Sequence, residues 1–141
     1  MTLFPKKVKH RKWQTGRVNA SKLMRAETRG VTVSFGQFGL KAMGHARISS
    51  KQIEAARRAM SRHIGKLGRA WIRIFPDRPV TKKPAEVKMG KGKGDPIEFV
   101  SEVLAGRIIF EVDGVTAEVA KEALRKAGTK LPVSTKVVGR L

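Results

Sequence analysis

ISSKQIEAARRAMSRHIGKLG, residues 48–68, carries the clearest periodic signal in the chain. Ser49 followed three residues later by Gln52 makes a capping box, in which each side chain satisfies the other residue's backbone amide at the start of a helix. Ile53, Ala56, Met60, Ile64 and Leu67 then recur on one face at helical spacing. Gly65 and Gly68 are the candidate stops. The spacing predicts an amphipathic helix whose apolar stripe faces a core and whose other side carries Lys51, Arg57, Arg58, Arg62 and Lys66.

The segments on either side read as strands. VTVSFGQF, 31–38, alternates Val31, Val33 and Phe35 with Thr32 and Ser34, the pattern of a half-buried strand. GLKAMGHARI, 39–48, is a turn and a second short strand. RAWIRIFP, 69–76, sets Ala70, Ile72 and Ile74 against Trp71, Arg73 and Phe75, until Pro76 and Pro79 break the run. PVTKKPAEVKM, 79–89, and PIEFVSEVL, 96–104, form two arms around MGKGKGD, 89–95, which suggests a long hairpin with a loop larger than the tightest turns. GRIIFEVDG, 106–114, is another strand, with Glu111 and Asp113 read as strand-end surface groups. Thr116 caps a second helix through about Ala127, with Val119, Ala120, Ala123, Leu124 and Ala127 inward and Gly128 closing it. LPVSTKVV, 131–138, is a last strand. These elements predict an α+β fold: two helices packed on a mainly antiparallel sheet over residues 31–141, with a basic hairpin loop at about 80–100. Residues 1–30 precede it as a basic, extended tail without helical or strand period.

Composition fits that division. Leu, Ile, Val and Phe make up 36 of 141 residues, enough for one core, but only Leu3, Phe4, Val8, Val18 and Leu23 fall in the first thirty. The net charge is +20. Residues 1–94 hold 24 Lys and Arg against 4 Asp and Glu, whereas residues 95–141 hold 7 of each. A charge this large and this segregated opposes compaction unless a polyanion neutralises it. No apolar run approaches a membrane span and no signal-peptide core is evident. A basic membrane-surface protein would leave a bulky apolar face exposed, and the 53–67 stripe is needed for the core. The absence of cysteine excludes disulfides and thiolate metal sites and fits the cytoplasm.

The charged features narrow the function to nucleic-acid binding. On the 50–67 helix Glu54 is the sole acid. A helix that merely needs solubility mixes acids and bases at i,i+4 spacing, and a phosphate backbone would relieve the repulsion between Arg58 and Arg62. In the tail, Lys6, Lys7, Lys9, Arg11, Lys12 and Arg17 surround Trp13, which is placed either to pack or to stack on a base. The middle of the chain adds Arg69, Arg73, Arg78, Lys82 and Lys83 to the candidate RNA-binding bases. In the loop, Lys88, Met89, Gly90, Lys91, Gly92, Lys93 and Gly94 combine mobile charge with a backbone that can approach closely, although a plain solvated loop has the same composition. It is not a Walker A motif, because Lys93 is followed by Gly94 rather than by a hydroxyl, and Pro96 rather than a helix comes next. His10, His45 and His63 lack metal-ligand spacing and read as structural or phosphate-facing. Nothing calls for catalysis, a metal or a cofactor. A free nucleic-acid-binding regulator is the alternative to a component of a stable ribonucleoprotein.

QIEAARRAMSRH, WIRIFPDRPVTKKPAEVKMGKGKG, FEVDGV and the KLP near the end resemble the universal L-sixteen/L-ten-e family of large-subunit ribosomal proteins over roughly residues 31–138. PKKVKHRKWQTGR matches the family's N-terminal tail more loosely. The resemblance implies a two-helix α+β domain docked on large-subunit ribosomal RNA near the base of the central protuberance, beside neighbouring ribosomal proteins and without enzymatic activity. It also implies that Lys6–Arg17 and the 88–93 loop reach toward the peptidyl-transferase region and the tRNAs, in the aminoacyl site and also in the peptidyl site. Many relatives carry Arg where this chain has Lys88, so recognition that depends on a bidentate guanidinium does not transfer to it. Residues 18–30 are longer than the family pattern.

Overall fold

A computed structural model describes residues 3–14 and 20–141. In chain order the elements are α1 (Ala20–Met24), β1 (Phe38–Ala42), β2 (Ala46–Ser49), α2 (Ser50–Ile64), β3 (Arg69–Ile72), β4 (Arg78–Lys82), β5 (Asp95–Val103), β6 (Ile108–Asp113), α3 (Ala117–Gly128) and β7 (Thr135–Gly139). The fold is α+β, with every strand pairing antiparallel. The strands divide into two sheets rather than one: β3-β6-β1-β7 and β2-β5-β4.

The α2 start forms as the capping box predicts. Ser49 N donates to Gln52 Oε1 at 2.9 Å, and Gln52 N donates to Ser49 Oγ at 3.3 Å. Ile53, Ala56, Met60 and Ile64 are buried. Leu67, expected on the same stripe, is 89% exposed, because Gly65 at φ 69 ends the helix and turns the chain before Leu67 can follow the stripe. Ser49→Ala should lower stability by about 1 kcal/mol, with Ser49→Asp losing far less. Urea unfolding measures this, and an alanine variant of unchanged midpoint would mean the box contributes nothing.

α3 lies on β1, β6 and β7, and α2 packs on α3 while reaching β2, β3 and β5. The core joins Leu40 and Ala42 of β1, Phe110 and Val112 of β6, the α2 stripe, and Ala120, Ala123, Leu124 and Ala127 of α3. β6 is central to its sheet, and Ile108 through Val112 are all buried. A strand covered on both faces loses the in-out alternation of a half-solvated one.

The second cover on β6 is the segment 31–37, and it corrects two expectations. This segment is not a strand; β1 begins at Phe38. Its amides turn instead onto Glu111, which is not a surface group but fully buried. Glu111 Oε1 accepts from Ser34 N (2.8 Å), Phe35 N (2.9 Å) and Gly36 N (3.2 Å), while Arg73 donates to Oε2 at 2.5 Å. Gly36 fits here because a Cβ would lie 2.6 Å from the Val112 carbonyl oxygen.

The N-terminal residues depart from a featureless tail. Leu3 is buried in the core cluster. α1 is a short helix, and Glu27 N then donates to the Ala105 carbonyl at 2.8 Å. Ile108 N donates to the Gly30 carbonyl at 2.8 Å, so residues 27–30 are fastened to the β5–β6 connection and to the start of β6.

Candidate nucleic-acid interface

β4 and β5 pair from Arg78↔Val100 to Lys82↔Asp95, which leaves residues 83–94 between them. Pro79 sits on the edge strand β4, where its missing amide costs no ladder bond. The glycine–lysine alternation has a backbone cause. Gly90, Lys91 and Gly92 all take positive φ, at 100°, 58° and 97°. The values at 90 and 92 suit only glycine, and nothing lies within 4 Å of where a Cβ would stand. Lysine, which tolerates the milder left-handed turn, occupies the position between them. Gly94 is different, since a Cβ there would lie 2.8 Å from the Lys82 carbonyl carbon. Lys88, Met89, Lys91 and Lys93 are exposed, and Lys83 Nζ reaches back to donate to the Gly90 carbonyl.

The N-terminal segment meets this loop. Lys12 Nζ donates to the Lys93 carbonyl at 3.1 Å, and Lys93 Nζ donates to the Trp13 carbonyl. The Arg78 guanidinium lies over the Trp13 ring at 5.6 Å. Two basic segments some eighty residues apart in sequence therefore share one surface, and Lys6, Lys7, Lys9 and Arg11 earlier in the tail are exposed. Arg17 lies outside the described residues.

On α2 the predicted bases separate into two kinds. Glu54 accepts from Arg57 Nε and Nη2 and from Arg58 Nε at 3.2 Å. The Arg57 hydrogen bond is the main reason the Glu54 pKa falls to about 2, with Arg58 adding to it. The carboxylate therefore stays charged, and its contribution is lost only as pH falls from the usual carboxylate range toward 2. Lys51, Arg62 and Lys66 are exposed with no carboxylate partner among the described residues.

The bases in the middle of the chain are also unequal. Arg69 and Lys82 are exposed. Arg73 is turned to the buried Glu111 and lies 4.9 Å over the Phe35 ring, which stacks on Trp71 at 6.1 Å between centroids. Arg78 is tied to Glu102 at 2.6 Å, the same carboxylate that takes Arg47 at 3.1 Å. Arg57, Arg73, Arg78, Trp13 and Trp71 line an open groove of about 960 Å³ between the α2 end, β3 and β4. In this groove carboxylates already hold Arg57, Arg73 and Arg78, and a fourth arginine, Arg107, is bonded to backbone carbonyls, so the groove offers flat guanidinium and ring faces more than free charge. Trp71 and Arg107 also line it, although neither stood out among the candidates. The strand alternation that marks Trp71 as outward was the available signal; Arg107 has none locally, since its bonds to the Arg29 and Arg73 carbonyls join distant segments.

Among the described residues no cluster of three or more His, Asp or Glu could hold a metal, and no helix is long and apolar enough to cross a membrane.

A family model described as "Ribosomal protein L16p/L10e" matches residues 5–138. The chain is 58% identical over 137 residues to the large ribosomal subunit protein uL16 of Rhodopseudomonas palustris strain BisB18, covering 97% of this chain and 96% of that protein. It is 56% identical over the same length to the uL16 protein of strain BisA53. The family match takes in the basic tail from residue 5, the loop and nearly all of the two-sheet core, and the chain accordingly belongs to the ribosomal protein L16p/L10e family, as a structural, non-enzymatic component of the large ribosomal subunit in the cytoplasm.

Proposed function

We propose that this chain binds large-subunit ribosomal RNA through the free bases of α2, the N-terminal segment and β3–β4, and that the joined tail and loop contact tRNA beside the aminoacyl site. Residues 31–141 act as the anchored domain and residues 1–30 as its arm, with neighbouring ribosomal proteins completing the setting. The reading rests on the meeting of tail and loop at Lys12, Trp13 and Lys93. Two cationic segments that hold each other through carbonyl groups keep their charge unspent for a phosphate surface. Contacts of this kind position a partner without reading its sequence. Lys88 supplies charge to that surface without the bidentate geometry of an arginine.

Lys91→Ala with Lys93→Ala tests the tRNA part. The double variant should join large subunits at normal occupancy, and the particles should bind aminoacyl-site tRNA several-fold more weakly at physiological salt. Each lost phosphate contact should also lower the salt slope of tRNA binding by about 0.7–0.9. Failure to join the subunit, with normal tRNA binding in any particles that do form, would make the loop an RNA anchor instead. A free regulator, the competing reading, would not cosediment with the large subunit at physiological salt.

A further inference from the structure

The far ends of α2 and α3 leave an open cleft of about 330 Å³, lined by Ala59, Arg62, His63, Lys126, Thr129 and Lys130. Its charge is unlike that of the neighbouring surface. Elsewhere Glu54, Glu102, Glu111 and Glu122 each hold one or two arginines. No carboxylate lines this cleft, and Glu122, one turn back on α3, is engaged by Arg125 through two hydrogen bonds of 3.0 and 2.6 Å.

Bases near a helix C-terminus can simply complement its dipole. Here that duty is met by other groups. The Thr129 hydroxyl donates to the Lys126 carbonyl at 2.6 Å, and Thr129 N bonds back to Arg125 O and Lys126 O. Lys126 Nζ does not fold onto its own helix end. It extends across to α2 and lies 3.3 Å from His63 Nδ1, beside Arg62. Three cations and an imidazole from two helices thus converge on one opening that no carboxylate lines; the nearby Glu122 attracts Lys126 and His63 but is itself hydrogen-bonded to Arg125.

We propose that this cleft receives a backbone phosphate of the large-subunit RNA, gripped between α2 and α3. The inference rests on the RNA-binding reading above, but it places contacts in the acid-balanced last third of the chain, which the charge distribution assigns to the scaffold. Arg62 supplies a planar fork for two phosphate oxygens. Lys126 and Lys130 supply point charges, and the His63 ring holds the Lys126 ammonium across the gap. The two helices are packed together in the core, so the backbone positions that carry the donors are set before the RNA arrives, and Lys126 is already held across the gap by His63.

The test is the salt dependence of full-chain binding to large-subunit RNA. Lys126→Ala with Lys130→Ala should lower the slope by about 1.5 and weaken binding about tenfold at physiological salt. Lys121→Ala with Lys136→Ala removes the same charge from the same third of the chain, outside the cleft, and should change the slope by less than half as much. Lys126→Arg with Lys130→Arg should restore wild-type binding. Equal losses in the two alanine pairs would reduce the effect to net charge and overturn the proposal. So would unchanged binding by the cleft pair while the wild type binds normally. If the wild type itself shows no salt-dependent RNA binding, the broader reading fails first, and the cleft with it.

Discussion

Glu111→Ala is expected to cost about 3–5 kcal/mol of stability, the range for breaking a buried ion pair by removing one partner. Glu111 is fully buried, and its two oxygens answer the Arg73 guanidinium and three successive amides at Ser34, Phe35 and Gly36. Alanine leaves Arg73 without its counter-charge and unpairs those amides together. Glu111→Gln keeps an acceptor for the amides but cancels the charge, so its loss should be smaller, about 1–3 kcal/mol. Urea unfolding of the free protein measures both. A loss below about 1 kcal/mol for the alanine variant would mean that the 31–37 segment is held by packing alone. The pH dependence has a definite sign. Burial, the largest influence, pushes the Glu111 pKa up, but Arg73 and the Phe35 and Gly36 amides together carry it below the ordinary value. A lowered folded pKa gives stability that is fully present above the unfolded carboxylate range and is lost as pH falls through the folded value. The glutamine variant should therefore lose part of the acid-side decline that the wild type shows.

Glu111 also marks where the sequence stops being legible. Ser49 and Gln52 signal α2 because every group in a capping box lies within four residues. The β4–β5 arms are legible because alternation and a Gly/Lys break lie close together. The FEVD run offers no such local test. Its Glu looks solvent-facing until Arg73, thirty-eight residues away, and the 34–36 amides are brought to it. Val31, Val33 and Phe35 alternate as a strand would, yet a carboxylate captures the backbone donors that a ladder would need. The division into two sheets is equally non-local, since β2 finds β5 across more than fifty residues.

The interface divides in the same way. Its charge is written in the composition, and the loop's glycines announce a turn that other residues resist. Which bases remain free is settled on α2 by the local Glu54, and elsewhere by carboxylates contributed from distant strands: Glu102 withdraws Arg47 and Arg78, and Glu111 withdraws Arg73. The pairing of tail with loop is invisible in sequence, because it runs through the carbonyls of Trp13 and Lys93 rather than through any side-chain pattern.

Arg58→Glu with Arg62→Glu should abolish stable incorporation into the large subunit. The two side chains are exposed one turn apart on α2, and reversing both changes the local charge by four units. The fold should survive. Glu54 keeps Arg57 as its principal partner, and a like charge at i,i+4 on a helix surface costs only about 0.2–0.5 kcal/mol. Against a phosphate backbone the change is far larger: Arg62 has no carboxylate partner among the described residues, and Arg58, though tied to Glu54, still exposes most of its side chain, so two cationic groups become two repulsions. RNA affinity at physiological salt should drop on the order of a hundredfold, with the salt slope reduced by about two. Sedimentation of ribosomes from cells carrying the variant beside the wild-type chain reads the outcome directly. The variant should stay at the top of the gradient while its circular dichroism matches the wild type. Arg58→Lys with Arg62→Lys, which keeps the charge and loses only the fork, should still sediment with the subunit. Normal incorporation of the reversed pair would show that this face of α2 meets water in the assembled particle, and the RNA anchor would then have to be sought in the tail, β3–β4 and the cleft at the helix ends.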